Sequence, residues 1–466
     1  VNGKHILVDC GLQQGRDEVS NEAFPFAANT IDFVLVTHAH IDHSGRIPML
    51  VKQGFQGRIL TTRLTADLMD IMLLDSAHIQ ESDAEWKNRK AARSGAPHVE
   101  PLYTIEDAAQ VREYMTTCEY GQIVELCEGV KVEFVDAGHL LGSASIIVDA
   151  TENGVTKRLV FSGDIGNVNQ PIIRDPQYID EADYVVMEST YGDRLHEVPE
   201  SYTEALAAII DETFARGGNV IIPSFAVGRT QELLYFIREM KERGLVRTHP
   251  DFPNEATRIF SGDLHGYLDE AAIEALKGGA LFQFPGLTLT ESSEESKALN
   301  LDKASKVIIS ASGMCDAGRI RHHLKHNLWM AENIILIAGY QSKGTLGRAL
   351  LDGVKEVRLF GEDIAVNAEI AVLHGTSGHA DQKGLLNWVE AFEKKPETIF
   401  VNHGDTEACE AFQALLQEKG YVAVAPFSGA EFDLVSGKFL AFPEGCPIAK
   451  RGAARKKGVF DALIAA

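Results

Sequence analysis

The sequence predicts an α/β fold divided among more than one domain, and three observations carry that prediction. The chain has 466 residues, more than a single hydrophobic core ordinarily serves. Short β-branched apolar runs alternate with amphipathic helical patterns from one end to the other. The chemically unusual residues sit at the polar ends of the predicted strands, where α/β proteins place ligand-binding groups.

Strands are predicted over Lys4–Asp9, Ile31–Thr37, Lys131–Val135, Ser145–Ala150, Arg158–Ser162 and Asp183–Met187. The same pattern recurs at Asn219–Pro223, Arg258–Phe260, Lys306–Ser310, Asn333–Ala338 and Thr398–Asn402. Helical spacing marks Ser201–Arg216, Arg229–Glu242, Tyr267–Leu276 and Thr406–Lys419. From about Pro199 to Ala371 the strand–helix units carry their own Gly-rich turns and no second His/Asp cluster. That block is read as a domain inserted into another, with limits at residues 1–195, 196–371 and 372–466.

A composition of 45% hydrophobic and 24% charged residues is that of a globular protein. No apolar run approaches the ~18 residues that would span a membrane, so no membrane partner is expected. The start, Val1-Asn2-Gly3-Lys4, is no signal peptide and lacks an initiator Met. Six scattered cysteines without a CxxC pair argue against a disulfide framework and fit a cytoplasmic compartment. A net charge of −23 argues against broad adhesion to nucleic acid but leaves room for a local cationic groove. The basic run Lys450 to Lys457 is read as a solvated tail.

Metal chemistry is concentrated in His38-Ala39-His40-Ile41-Asp42-His43. With 16 His in the chain, such a pattern arises by chance in roughly one chain in a thousand. A spacing of two turns His38 and His40 to one side of an extended loop, while Asp42 and His43 run into a helix start. Imidazole and carboxylate suit zinc, and the absence of nearby Cys favours a catalytic over a structural site. Two cations need more ligands than this loop holds. His139, Asp164 and His403, each just after a predicted strand, are the candidates. Asp9 is either a turn-forming residue before Gly11 or a carboxylate that orients a ligand.

These residues resemble the β-CASP branch of the metallo-β-lactamase-fold nucleases, which includes the pre-mRNA cleavage and polyadenylation endonuclease and bacterial and archaeal ribonucleases. The resemblance runs from Asp9 through the His38–His43 loop, His139 and Asp164. It continues through Glu188-Ser189-Thr190-Tyr191-Gly192, Ser377-Gly378-His379-Ala380-Asp381 and Val401-Asn402-His403-Gly404. Pro223 to Arg229, Ser312-Gly313-Met314 and Gly339 to Arg348 look similar as well.

The resemblance implies a metallo-β-lactamase αββα sandwich carrying an inserted α/β β-CASP domain. Two zinc ions are implied, one held by His38, His40 and His139 and the other by Asp42, His43 and His403, with Asp164 bridging. Asp42, Glu188 and His379 would be the catalytic set, His379 acting as general acid and Glu188 orienting it. The implied substrate is single-stranded RNA, cut to 5′-phosphate and 3′-hydroxyl ends, mainly endonucleolytically, with 5′-exonuclease activity and a homodimer left open. A DNA nuclease of the same superfamily and a non-catalytic RNA-processing subunit are the alternatives. The DNA-repair members typically carry Val where His403 stands. The family fold begins with strands upstream of Asp9, so a truncated N-terminus is expected.

Arg229, Lys343 and Arg348 lie in Gly-rich or helix-start contexts suited to phosphate, although Gly344–Gly347 also reads as a plain turn. The cluster Arg319, Arg321, His322, His323 and His326 is read as a solvated polar helix face rather than a second metal site.

Overall fold

A computed structural model describes residues 1–13, 21–197, 199, 201–225, 227–246, 252–253, 268, 284–290, 292–375 and 377–445. The predicted strand Arg258–Phe260, the predicted helix Tyr267–Leu276 apart from Leu268, and the basic run from Lys450 lie outside the described residues.

Two sheets open the chain. Strands β1 (Ile6–Val8), β2 (Phe33–Leu35), β3 (Arg58–Thr62) and β4 (Met115–Cys118) pair in that order, all parallel. Strands β5 (Val124–Cys127), β6 (Val130–Asp136), β7 (Ala144–Glu152) and β8 (Val155–Phe161) form an antiparallel meander. Strand β9 (Tyr184–Met187) then joins β8 in parallel. The β7–β8 hairpin turns on Asn153 and Gly154, both at positive φ, as a tight two-residue hairpin turn requires.

Period-two alternation in β2 decides which core each residue serves. Phe33 and Leu35 enter a cluster with Leu60, Phe134, Ile146 and Val148, so the two sheets pack face to face. Val34 and Val36 enter the cluster on the opposite side, with Leu50, Leu68 and Met69 of the covering helices. On the outer face of the second sheet, Val160, Val185 and Met187 pack on Trp388, Val389, Phe412 and Leu416. The layers are therefore helix, sheet, sheet, helix.

The predicted helix at 201–216 forms as Tyr202–Ala215, with the Ser201 hydroxyl accepting the Glu204 N–H at its start as an N-cap. It leads into a third sheet of β10 (Val220–Pro223), β11 (Val307–Ser310), β12 (Ile334–Ile337) and β13 (Glu369–Val372). Their order is β11-β10-β12-β13 and all are parallel. Ile221, Ile335 and Ile337 face a cluster with Leu324, Leu328 and Leu350. Val220, Ile222, Ile334 and Leu336 face another with Leu206, Leu233 and Ile237. Burial on both faces accounts for the apolar runs of β10, β11 and β12, whereas β13 at the sheet edge is only partly buried.

The chain then returns to the second sheet. Strand β14 (Thr398–Val401) pairs with β9 and β15 (Ala423–Val424) with β14, giving the order β15-β14-β9-β8-β7-β6-β5. A last hairpin, Glu431–Asp433 with Lys438–Ala441, sets Phe432 against Tyr184 and Phe400 at ring separations of 5.4 and 5.0 Å. The fold is the αββα sandwich with an α/β insertion that the sequence predicts.

Two features depart from the sequence reading. A helix of 32 residues, Arg63–Ser94, runs from a Thr62 cap to Gly95 at φ 68°. Beyond Ala77 its buried residues are only Ala84 and Ala91, too thin an apolar stripe to signal a helix. The helix Ile320–Asn327 is not a uniformly solvated face. His323 is buried beside Ile320 and Leu324, its Nε2 3.0 Å from Ser296 Oγ and its Nδ1 3.0 Å from Asn300 Oδ1. Helical steps of 100° set residues 321 and 323 about 200° apart, so the cluster cannot turn wholly outward. Among the described residues, no helix is long and apolar enough to cross a membrane.

Candidate active site

The His38–His43 loop leaves β2 and turns into the short helix Ile41–Ser44. The segment after β1 holds it in place. Cys10 N–H donates to His43 O at 2.7 Å and Leu12 N–H to Ile41 O at 2.9 Å. Gly11 lies between them, and a Cβ there would stand 1.5 Å from the Asp42 carbonyl oxygen. Asp9, at φ 59°, accepts the Thr37 N–H and hydroxyl, each at 2.8 Å. Its Oδ2 also accepts from His43 Nδ1 at 2.7 Å, which fixes the His43 ring with Nε2 turned to the site.

Three further strand ends converge on this loop. His139 follows β6, Asp164 follows β8 and His403 follows β14. His40 Nδ1 lies 3.0 Å from His38 Nε2 and 3.2 Å from His139 Nε2. His43 Nε2 lies 2.9 Å from His403 Nε2, with Asp42 Oδ2 3.7 Å from the same His403 nitrogen. Asp164 divides its carboxylate between the two groups. Oδ2 is 3.4 and 3.5 Å from His38 and His139, and Oδ1 is 3.3 and 3.4 Å from His43 and His403.

This donor set fits cations. The potential ligand atoms of His38, His40, His139 and Asp164 lie within 4.8 Å of one another, as do those of Asp42, His43 and His403. Among the described residues no hydrogen bond reaches the buried Asp164 Oδ1, and three imidazole nitrogens around His40 cannot all be satisfied by shared protons. Burial holds the pKa of His38, and of His139 more strongly, below the ordinary imidazole value, favouring the neutral form that ligates metal.

Beside this set stands a third. Glu188, after β9, is buried and accepts from Ile165 N–H at 2.6 Å and Thr190 N–H at 3.2 Å. Both of its oxygens lie 3.1 Å from His379 Nδ1, and Asp164 Oδ2 is 3.9 Å from the same atom. Burial alone would lower the His379 pKa. The Glu188 and Asp164 carboxylates overcome it and raise the value to about 9. His379 is anchored by its neighbour Ala380, whose N–H donates to Ile165 O at 2.7 Å, and by His196 Nε2, 2.9 Å from its own carbonyl.

The inserted domain closes over one side. The loops after β10, β11 and β12 meet at one edge of its sheet: Gln341 Nε2 donates to Gly313 O at 2.9 Å and Gly347 N–H to Met314 O at 3.0 Å. Phe225, after β10, brings its ring 5.9 Å from that of His40.

Residues 1–224 match the metallo-β-lactamase superfamily, 230–350 the β-CASP domain and 363–426 the Zn-dependent metallo-hydrolase RNA specificity domain. Ribonuclease TTHA0252 of Thermus thermophilus is 34% identical over 430 residues, covering 91% of this chain and 94% of the relative. The chain belongs to the β-CASP branch of the metallo-β-lactamase superfamily. It is thus a metal-dependent hydrolase by family. An RNase J-like protein from Methanocaldococcus jannaschii is 30% identical over 86% of this chain and 87% of its own length. Transcription termination factor FttA of Methanosarcina mazei is 31% identical over 87% of this chain, which spans 64% of that relative.

All seven residues expected to hold metal, and both Glu188 and His379, are brought together. The three cations expected to meet phosphate are each engaged by a carboxylate. Arg229 pairs with Glu232, both nearly buried. Lys343 Nζ is 2.9 Å from Glu407 and 3.8 Å from Asp405. Arg348 Nε is 2.9 Å from Asp352. Thr37 is the residue that sequence reasoning passed over. Its hydroxyl lies 2.8 Å from Asp9 and 3.1 Å from His38 Nδ1, and its only sequence signal is its place immediately before His38.

Proposed function

We propose that this chain is a zinc-dependent ribonuclease that hydrolyses single-stranded RNA to 5′-phosphate and 3′-hydroxyl ends, mainly endonucleolytically. The observation that carries the reading is the placement of His379, 3.1 Å from Glu188 and 3.9 Å from the Asp164 carboxylate shared by two ligand groups. His38, His40 and His139 would hold one ion and Asp42, His43 and His403 the other, with Asp164 serving both. Two bound zinc ions would offset the phosphodiester charge and make water nucleophilic near neutral pH.

The chain's own residues supply the rest. His379 has Nδ1 committed to Glu188, so Nε2 is the atom that delivers a proton to the departing 3′-oxygen. Glu188 keeps that imidazole protonated and fixes its plane. A phosphate reaching Lys343 would take the place of Glu407. Relatives named as ribonucleases support RNA over DNA. The residue limits 1–195, 196–371 and 372–466 belong to the same reading.

The test is to measure zinc per purified chain and to offer matched labelled single-stranded RNA and DNA. About two zinc ions per chain are expected, with RNA cleavage that is lost in Asp42→Ala and His379→Ala. Equal cleavage of DNA, or full activity in Asp42→Ala, would refute the proposal.

A further inference from the structure

The outward face of the helix Ile320–Asn327 has no part in the site described above, yet it gathers cations and aromatic rings in an acidic protein. Helical spacing of four places Arg321 above Lys325 and His322 above His326. Leu328 keeps right-handed helical backbone, φ −63° and ψ −32°, so the ridge through Arg321 and Lys325 continues to Trp329, which is 55% exposed. The hairpin Glu356–Leu359 with Glu362–Ala365 adds a second ring from the side. Its tip residue Phe360, at φ 52°, is 40% exposed. It stacks on His322 with ring centroids 4.2 Å apart and planes 21° apart, and the Arg321 guanidinium lies over it at 5.1 Å.

Cations predominate on this face, although the carboxylates of Glu362 and Asp316 lie near Lys325 and Arg321. Burial, followed by the nearby positive groups of Lys297, His326, Arg321 and Lys325, holds the His322 pKa below its ordinary value. Glu362 meets Lys325 at 2.6 Å. Lys297, Arg321 and His326 make no ion pair among the described residues. Cations flanked by exposed planar rings are the features that hold single-stranded nucleic acid, through phosphate neutralisation and base stacking. Spare positive charge is unusual in a chain of net charge −23.

We propose that Arg321, His322, Lys325, His326, Trp329 and Phe360 form a docking face for single-stranded RNA extending beyond the catalytic cleft. The face adds affinity for long strands and contributes nothing to the chemical step. The proposal rests on the ribonuclease reading for its choice of RNA.

The test compares binding and cleavage of labelled RNAs of about 8 and about 30 nucleotides, one within and one well beyond the roughly 4–16 nucleotides of a single-module footprint. It uses the full chain, Arg321→Gln/Lys325→Gln and Trp329→Ala. For the longer RNA the double variant should lower the slope of log affinity against log salt by about 1.4, the value for two lost single-strand phosphate contacts. Trp329→Ala should weaken binding about fivefold. Cleavage of the short RNA should be unchanged in both. Unaltered affinity and salt slope for the longer RNA would overturn the proposal, and so would equal losses on both lengths. Tighter binding of polyglutamate than of RNA would overturn it in favour of an acidic protein partner. A wild-type chain that binds the longer RNA through this face but cleaves neither RNA would refute the ribonuclease reading and leave this one standing.

Discussion

Asp9 and His43 meet at 2.7 Å across 34 positions of sequence, and the same carboxylate holds the backbone and hydroxyl of Thr37. Asp9 thereby ties the end of β1 to a ring that faces the metal group. Partners of this kind typically govern metal affinity by 10- to 100-fold. Asp9→Ala is expected to lose about that factor in zinc affinity while remaining folded, as read by competition with a chromogenic chelator. Wild-type zinc retention at limiting metal would show that His43 needs no such support.

Glu188 sustains the charged form of His379, whose pKa stands at about 9 with burial opposing and the carboxylates prevailing. In the general-acid role proposed for it, His379 works only while protonated, so activity should persist up to that region and fall above it. In Glu188→Gln the supporting charge is gone, the His379 pKa falls, and the alkaline limb of the pH–rate profile should move to lower pH. A profile that loses height without moving would point to orientation alone.

His323 affects stability. Burial lowers its pKa from 6.5 to about 4, so the folded chain keeps it neutral while an unfolded chain takes up a proton below about pH 6.5. The stabilisation is whole above that pH and is lost as pH falls towards 4, up to on the order of 3 kcal/mol. The difference in denaturant midpoint between wild type and His323→Gln should shrink across that window. A constant difference from pH 7 to pH 4 would contradict the assignment.

Gly11 leaves no room for a side chain, since a Cβ would sit 1.5 Å from the Asp42 carbonyl oxygen. Gly11→Ala must push the ligand loop away from the end of β1. A loss of about 2–4 kcal/mol is expected, with lowered zinc content, read by thermal melting and metal analysis. Unchanged melting would mean that the loop yields freely.

Much of this site was legible in the sequence because its ligand types are rare and compressed: four of the seven metal-binding candidates fall within His38–His43. His139, Asp164 and His403 were legible because they end apolar runs that could be read as strands. What could not be read depends on distance in space. Nothing in the sequence joins Asp9 to His43, or Lys343 to Glu407 across 64 positions. The carboxylate partners of Arg229 and Arg348 lie three and four residues on, within the reach of helical spacing, and were passed over because the Gly-rich context drew the reading to phosphate. The helix Arg63–Ser94 escaped because its second half is held by Ala84 and Ala91 rather than by large apolar side chains.

His43 and His403 stand 2.9 Å apart and 360 positions apart, with the whole insertion threaded between them. During synthesis the His38–His43 loop is made well before His379 and His403. A chain that has not yet reached them lacks two residues of the candidate site, and also lacks two strands of the second sheet. The two halves of the candidate site are thus joined only when the strand before His403 pairs with β9, on the far side of the insertion.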